Sequence, residues 1–236
     1  MGKKAIPIGI ENFEDIIKDN YYYVDKSMLI EDILVNRAAV TLFTRPRRFG
    51  KTLNMSMIKY FFDVRNKDEN RKLFEELKIF GSEYMKEQGK YPVIFVSLKD
   101  LRGDTWEDTF ENLKSFISDL YAEFEDMREI MNKRDKIKFD KIFYEEEKGD
   151  YETALKLLSN YIYKYYGKKV IILIDEYDAP IINAFDKGYY NEAINFFQVF
   201  YSSALKTNDS LKYGILTGIT RIIKEGIFSG LNNLYV

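Results

Sequence analysis

Two side chains are missing from this 236-residue sequence altogether: it has no cysteine and no histidine. Without cysteine there is no disulfide, no thiolate-bound zinc and no thiol nucleophile. Without histidine there is no Ser-His-Asp triad, no imidazole base and no imidazole metal ligand. No apolar run approaches the ~20 residues of a membrane-spanning helix. The start, Met1-Gly2-Lys3-Lys4-Ala5-Ile6-Pro7, lacks the apolar stretch of a signal peptide. A net charge of −2 supplies no whole-chain field toward nucleic acid or an anionic membrane. The sequence thus reads as cytoplasmic, with no membrane partner. Its chemistry must rest on carboxylates, Lys, Arg, hydroxyls, backbone N–H groups and a hard metal ion, a set that suits Mg²⁺-dependent phosphate chemistry.

What is present is an ordinary globular balance, 46% hydrophobic and 31% charged, in a chain long enough for one sizeable core. A helix is expected from about Asn12 to Lys18. A second, capped by Asp25 or Ser27, runs through Met28, Leu29, Ile33 and Leu34, whose spacing is helical. Apolar runs at Ala38 to Phe43, Val93 to Leu98, Val170 to Ile174 and Leu211 to Leu216 read as buried strands. Between them lie a helix carrying Leu53, Met57, Ile58, Phe61 and Phe62, and a long helical region from Thr105 to Tyr166. That region is expected to break at Asn132 to Lys136 and near Gly149-Asp150. A further helix is expected from about Gly188 to Leu205. Strands alternating with helices predict an α/β fold with a mostly parallel sheet and helices on both faces. No linker divides the chain, so residues 1–236 read as one domain. Leu234-Tyr235-Val236 looks like the start of another strand, so the sequence reads as a piece of something longer.

The first strand runs into Thr44-Arg45-Pro46-Arg47-Arg48-Phe49-Gly50-Lys51-Thr52. Gly50-Lys51-Thr52 is the second half of the phosphate-loop pattern G-x-x-x-x-G-K-[ST], with Arg45 where the first glycine stands. Backbone N–H groups here can wrap a phosphate at a helix start, and Gly50 allows close approach. The expected binding set is Arg47, Arg48, Phe49, Gly50, Lys51, Thr52 and Leu53. Lys51 would bridge phosphates and the Thr52 hydroxyl would bind Mg²⁺. Pro46 lacks an N–H and should sit at the loop entry, biasing Arg45 to extended backbone. Taken alone, the loop has the alternative of a basic surface turn with three arginines that could bind nucleic acid.

Val170 to Ile174 ends at Asp175-Glu176, an acidic pair at the strand end where α/β sheets place their ligands. Asp175 is the expected second metal residue and Glu176 the expected general base. The alternative is a solvated acidic turn, with Asp178 capping the next turn. The fourth strand delivers Thr217-Gly218-Ile219-Thr220-Arg221. Thr217, then Thr220, is the candidate to sense the phosphate or position water, and Arg221 could contact a phosphate or serve a partner subunit; the alternatives are a satisfied hydroxyl and a surface salt bridge.

Together these segments resemble the AAA-ATPase-like family of predicted ATPases, often fused to a restriction-endonuclease-like nuclease domain. The resemblance rests on Ile6-Pro7-Ile8-Gly9-Ile10 with Phe13, Tyr23-Val24-Asp25-Lys26-Ser27, Arg45 to Thr52, Leu173 to Asp178, Thr217 to Arg221 and Phe228 to Asn233. It implies a P-loop NTPase three-layer sandwich of strand order 5-1-4-3-2, with segment 1–37 packed on the core. The lid and nuclease domains of relatives are expected to be absent. Arg45 at the first-glycine position is typical of the family. The implied function is ATP binding with Mg²⁺-dependent hydrolysis that drives or gates a conformational change. Alternatives are a nucleotide-gated switch with little turnover and a nucleic-acid-associated subunit of a nuclease system. The expected ligands are ATP and ADP with Mg²⁺. A protein partner, a second copy, and nucleic acid reached through a partner all stay open. Tyr22 or Tyr23 could stack on adenine, although core packing explains them as well.

Overall fold

A computed structural model describes residues 4–219 and 234–235. Five strands build one sheet: β1 (Val40–Thr44), β2 (Val93–Ser97), β3 (Val170–Asp175), β4 (Leu211–Gly218) and the short β5 (Leu234–Tyr235). Their spatial order is β2-β3-β4-β1-β5, which from the β5 edge reads 5-1-4-3-2. Every pairing is parallel.

β-branched and leucine residues dominate β3, and all six of its positions are buried. A parallel strand covered on both faces needs this continuous apolar run. Successive side chains alternate between faces. Val170, Ile172 and Ile174 join one core, with α5 (Trp106–Ala122), α6 (Lys133–Phe143), α7 (Ala154–Tyr166), α8 (Ala179–Lys187) and α9 (Tyr190–Leu205). Ile171 and Leu173 join the other, with α1 (Phe13–Lys18), α2 (Met28–Asn36) and α3 (Lys51–Phe62). Segment 1–37 thus supplies the outer helices α1 and α2 of the second core.

The helices depart from the sequence reading at three places. Asn132 to Lys136 is a helix start, since the Asn132 side chain accepts the Asp135 N–H and α6 begins at Lys133. The break falls earlier, over 123–131, where a 3₁₀ turn spans Glu125–Ile130. Residues Ala179–Lys187 form α8, hidden in the sequence by an acidic stretch and Pro180. Proline fits the first turn because that N–H has no helical partner. Ser27 stands at the N-cap of α2 but makes no capping bond there. Its hydroxyl accepts the Ile79 N–H, and Asp25 accepts the N–H groups of Ser27 and Lys78.

Phe61 is fully buried on α3, with its ring centre 5.3 Å from that of Phe74 at 84°. Phe61→Ala should lower unfolding free energy by about 3–5 kcal/mol. Urea denaturation should show this as a lower midpoint at unchanged slope.

Candidate functional site

Strand parity gathers the site. On β3 the face carrying Ile171 and Leu173 continues to Asp175. On β4 the face carrying Tyr213 and Ile215 continues to Thr217. The register pairs Ile174 with Leu216, so one step further puts Asp175 beside Thr217. Both therefore emerge on the sheet face that α3 covers, at the strand ends where the loop after β1 turns into α3.

The loop from Arg45 to Gly50 is shaped by its backbone. The Arg45 N–H donates to the Gly218 carbonyl at 3.2 Å and extends the β1–β4 pairing by one residue, as an extended residue before proline does. Arg48 and Gly50 both take left-handed backbone, with φ of 68° and 73°. Gly50 is the N-cap of α3 and no side chain caps it. Among the described residues, the N–H groups of Gly50, Lys51, Thr52 and Leu53 donate to no protein acceptor. The orphan donors of the first helical turn are left facing the loop.

Lys51 is buried and folds its ammonium back over the loop, onto the carbonyls of Arg45 at 3.1 Å and Pro46 at 3.2 Å. Pro46 sits at the loop entry, as its missing N–H predicts. Arg47, Arg48 and Phe49 are exposed on the loop, and the half-buried Leu53 packs into the α3-side core, leaving its N–H as the group that faces the loop.

Asp175 joins the loop to the sheet. Its carboxylate has no solvent exposure. It accepts the Thr52 hydroxyl at 2.7 Å, across 123 residues of sequence. It also accepts the Thr217 hydroxyl. The same Thr217 oxygen accepts the Glu176 N–H at 3.3 Å, and the Thr217 carbonyl accepts the Tyr177 N–H at 3.0 Å. Thr217 thus grips the whole turn after β3. Glu176 takes left-handed backbone in that turn, at φ 51°, a conformation that a non-glycine residue keeps only where its surroundings enforce it. Burial raises the Glu176 carboxyl above its ordinary value, and the negative Asp175 raises it further, against opposing pulls from Lys51 and Lys99.

Asp178, expected to cap the next turn, makes no side-chain cap bond to α8. It is buried and accepts the Ile219 N–H at 2.8 Å, tying the β3 turn to the end of β4. Gly218 is required at that crossing, because a β-carbon there would lie 2.5 Å from the Tyr177 ring. Thr220 and Arg221 lie outside the described residues. Tyr23 packs on Phe13, with ring centres 5.6 Å apart, and bonds to the Met57 sulfur. Among the described residues no group of three acidic side chains could hold a metal ion; the hydrogen-bonded oxygens of Thr52 and Asp175 are the pair that could contribute to holding one.

Two charged neighbours escaped the sequence reading. Lys99, just beyond β2, pairs with Glu11 at 3.1 Å and lies within electrostatic reach of Glu176. The register pairs Ser97 with Asp175, which brings the residues just after β2 to the acidic strand end, an adjacency that the sequence alone does not carry. Lys26 is the second. A β-carbon on Gly50 would lie 3.8 Å from its ammonium. No local pattern places residue 26 beside residue 50.

The Thr217 hydroxyl can be tested directly. Thr217→Val removes a donor to a buried carboxylate and should cost about 1–3 kcal/mol of stability. Thr217→Ser should recover most of it in the same thermal or urea measurement. Equal stability of the valine variant and the parent would contradict the bonding described.

The family model described as "Predicted AAA-ATPase" matches residues 7–228. A curated protein of Azotobacter chroococcum mcd 1, "Uncharacterized protein in vnfD 5'region", is 26% identical over 99% of this chain. The match covers 41% of that protein, so the chain spans less than half the length of this relative. No solved structure matches the chain.

Proposed function

Because the chain belongs to the AAA-ATPase-like family, we propose that it is a P-loop domain that binds ATP with Mg²⁺ through the loop before α3 and hydrolyses it. The observation that carries this reading is the Thr52–Asp175 hydrogen bond, which sets an uncapped helix start and a buried carboxylate edge to edge. The residues fit the ligand. Orphan N–H groups and a left-handed glycine suit an anion at the helix start. Two hard oxygens, on Thr52 and Asp175, suit a small divalent ion that takes its remaining ligands from phosphate and water. Mg²⁺ bound with the nucleotide would supply charge neutralisation on its phosphates.

The protein groups then divide the work. The N–H groups of Gly50 to Leu53 cradle a phosphate. Lys51 exchanges its two carbonyl partners for phosphate oxygens. Thr217 keeps Asp175 oriented and fixes the turn that presents Glu176. Glu176 accepts the proton of the attacking water, and its raised pKa brings it closer to the working pH of a general base. Arg47 and Arg48 add positive charge at the mouth, and Arg221 is a further candidate contact. The hydrolysis is proposed to drive or gate a conformational change in a longer assembly.

Thermal denaturation tests binding. MgATP and MgADP should raise the melting temperature of the parent chain, by an amount that grows with ligand excess. Lys51→Ala should abolish that rise. A nucleotide shift that survives in Lys51→Ala would refute the loop assignment. Glu176→Gln should bind MgATP like the parent while turnover falls by about 10²-fold or more. Undiminished hydrolysis in that variant would remove Glu176 from its role.

The pH dependence comes from the sign of the Glu176 shift. A carboxyl with a raised pKa stays protonated to higher pH, and only the ionised form is a base. The kcat/KM of hydrolysis should therefore fall on acidification with a midpoint above the ordinary glutamate value of about 4.3. A profile flat down to that value would contradict the assignment.

A further inference from the structure

Asp25, Lys26 and Ser27 precede α2 and have no part in the chemistry above. Their backbone is held unusually well for a connecting segment. The Asp25 carboxylate accepts the N–H groups of Ser27 and Lys78, both at 2.8 Å. Burial works against its charge, but these bonds outweigh it and hold the carboxyl below its ordinary pKa. The Ser27 hydroxyl is fully buried and accepts the Ile79 N–H at 3.1 Å. Both neighbours of Lys26 are thus pinned to a segment more than fifty residues away. The residue between them has a fixed starting point for its side chain.

That side chain reaches the loop. Its ammonium would lie 3.8 Å from a β-carbon on Gly50. Among the described residues it makes no ion pair and no hydrogen bond. Lys26 and Lys51 line one cavity of about 400 Å³, together with Arg45, Asp32, Phe49 and Thr217 among others. Two ammonium groups and Arg45 face this cavity against the single carboxylate of Asp32, and the adjoining loop also carries Arg47 and Arg48, an excess of positive charge that complements a multiply charged anion.

We propose that Lys26 is a second phosphate-binding ammonium, carried to the loop by the Asp25–Ser27 mount and acting on the phosphate chain of the bound nucleotide. The proposal rests on the nucleotide reading given above. Lys26 meets the phosphate directly, and its role is electrostatic. Its charge matters and its exact shape does not, so arginine should serve in its place.

The test is equilibrium binding of MgATP, read by a fluorescent ATP analogue and by competition with unlabelled ATP. The proteins compared are the full chain and its Lys26→Met, Lys26→Arg and Lys51→Ala variants. A charge-assisted contact predicts about tenfold or greater weakening in Lys26→Met and near-parent affinity in Lys26→Arg. Lys26 is exposed, so the melting temperature without nucleotide should be unchanged in both. Parent-like affinity in Lys26→Met, with binding lost in Lys51→Ala, overturns the proposal and leaves the nucleotide reading intact. No binding by the parent, or equal binding by the parent and Lys51→Ala, overturns both. A lowered melting temperature in Lys26→Met that arginine does not rescue assigns Lys26 to the fold and also overturns the proposal.

Discussion

The Asp175 carboxylate is sealed from solvent at the end of β3, and the groups that hold it tie the sheet to the loop before α3. A buried carboxylate needs hydrogen-bond donors or a cation. Here two hydroxyls supply the donors, Thr52 from the first turn of α3 and Thr217 from the end of β4. Removing either would leave a charged oxygen underserved in a setting where this is expensive. One side chain thus links β3, β4 and α3 at these ends. Two hydroxyls satisfy lone pairs without cancelling charge. The proposed ligand would bring a positive ion to that carboxylate.

The opposite charge is gathered a few residues away. Lys51 rests on loop carbonyls, Lys26 arrives from the segment before α2, and Arg45, Arg47 and Arg48 surround the turn. A carboxylate pair and a group of cations stand on either side of a helix start that has no cap. Acidic oxygens beside cations and free N–H groups complement the proposed ligand, a nucleotide with its divalent ion. This is the physical content behind the ATPase reading.

Much of this was legible in the sequence. Val170 to Ile174 is a short, continuous run rich in β-branched residues, which reads as a strand buried on both sides, and the acidic pair after it marks the strand end. Gly50-Lys51-Thr52 needed that second motif to become persuasive, because Arg45 spoils the usual pattern. Period-two alternation then places Asp175 and Thr217 on the face of α3, although only the register shows them adjacent. What the sequence hid has definite causes. The helix α8 begins with Asp178-Ala179-Pro180, residues that equally start a turn, and the buried contact of Asp178 with Ile219 decides its role. The charged stretch at Asn132 looked like a break because a capping asparagine and a helix interruption share the same composition. Lys26 was invisible because its placement depends on bonds to Lys78 and Ile79. No pattern within a few residues encodes such contacts.

At the centre stands the assignment of Thr52 and Asp175 as the oxygens that hold a metal bound together with a nucleotide on the loop. Isothermal titration of the parent chain with ATP, once with Mg²⁺ and once with the divalent ion chelated, tests it most directly. The expected result is a single site whose affinity falls steeply when Mg²⁺ is withdrawn. Binding of equal strength with and without Mg²⁺, or no binding in either case, would contradict it.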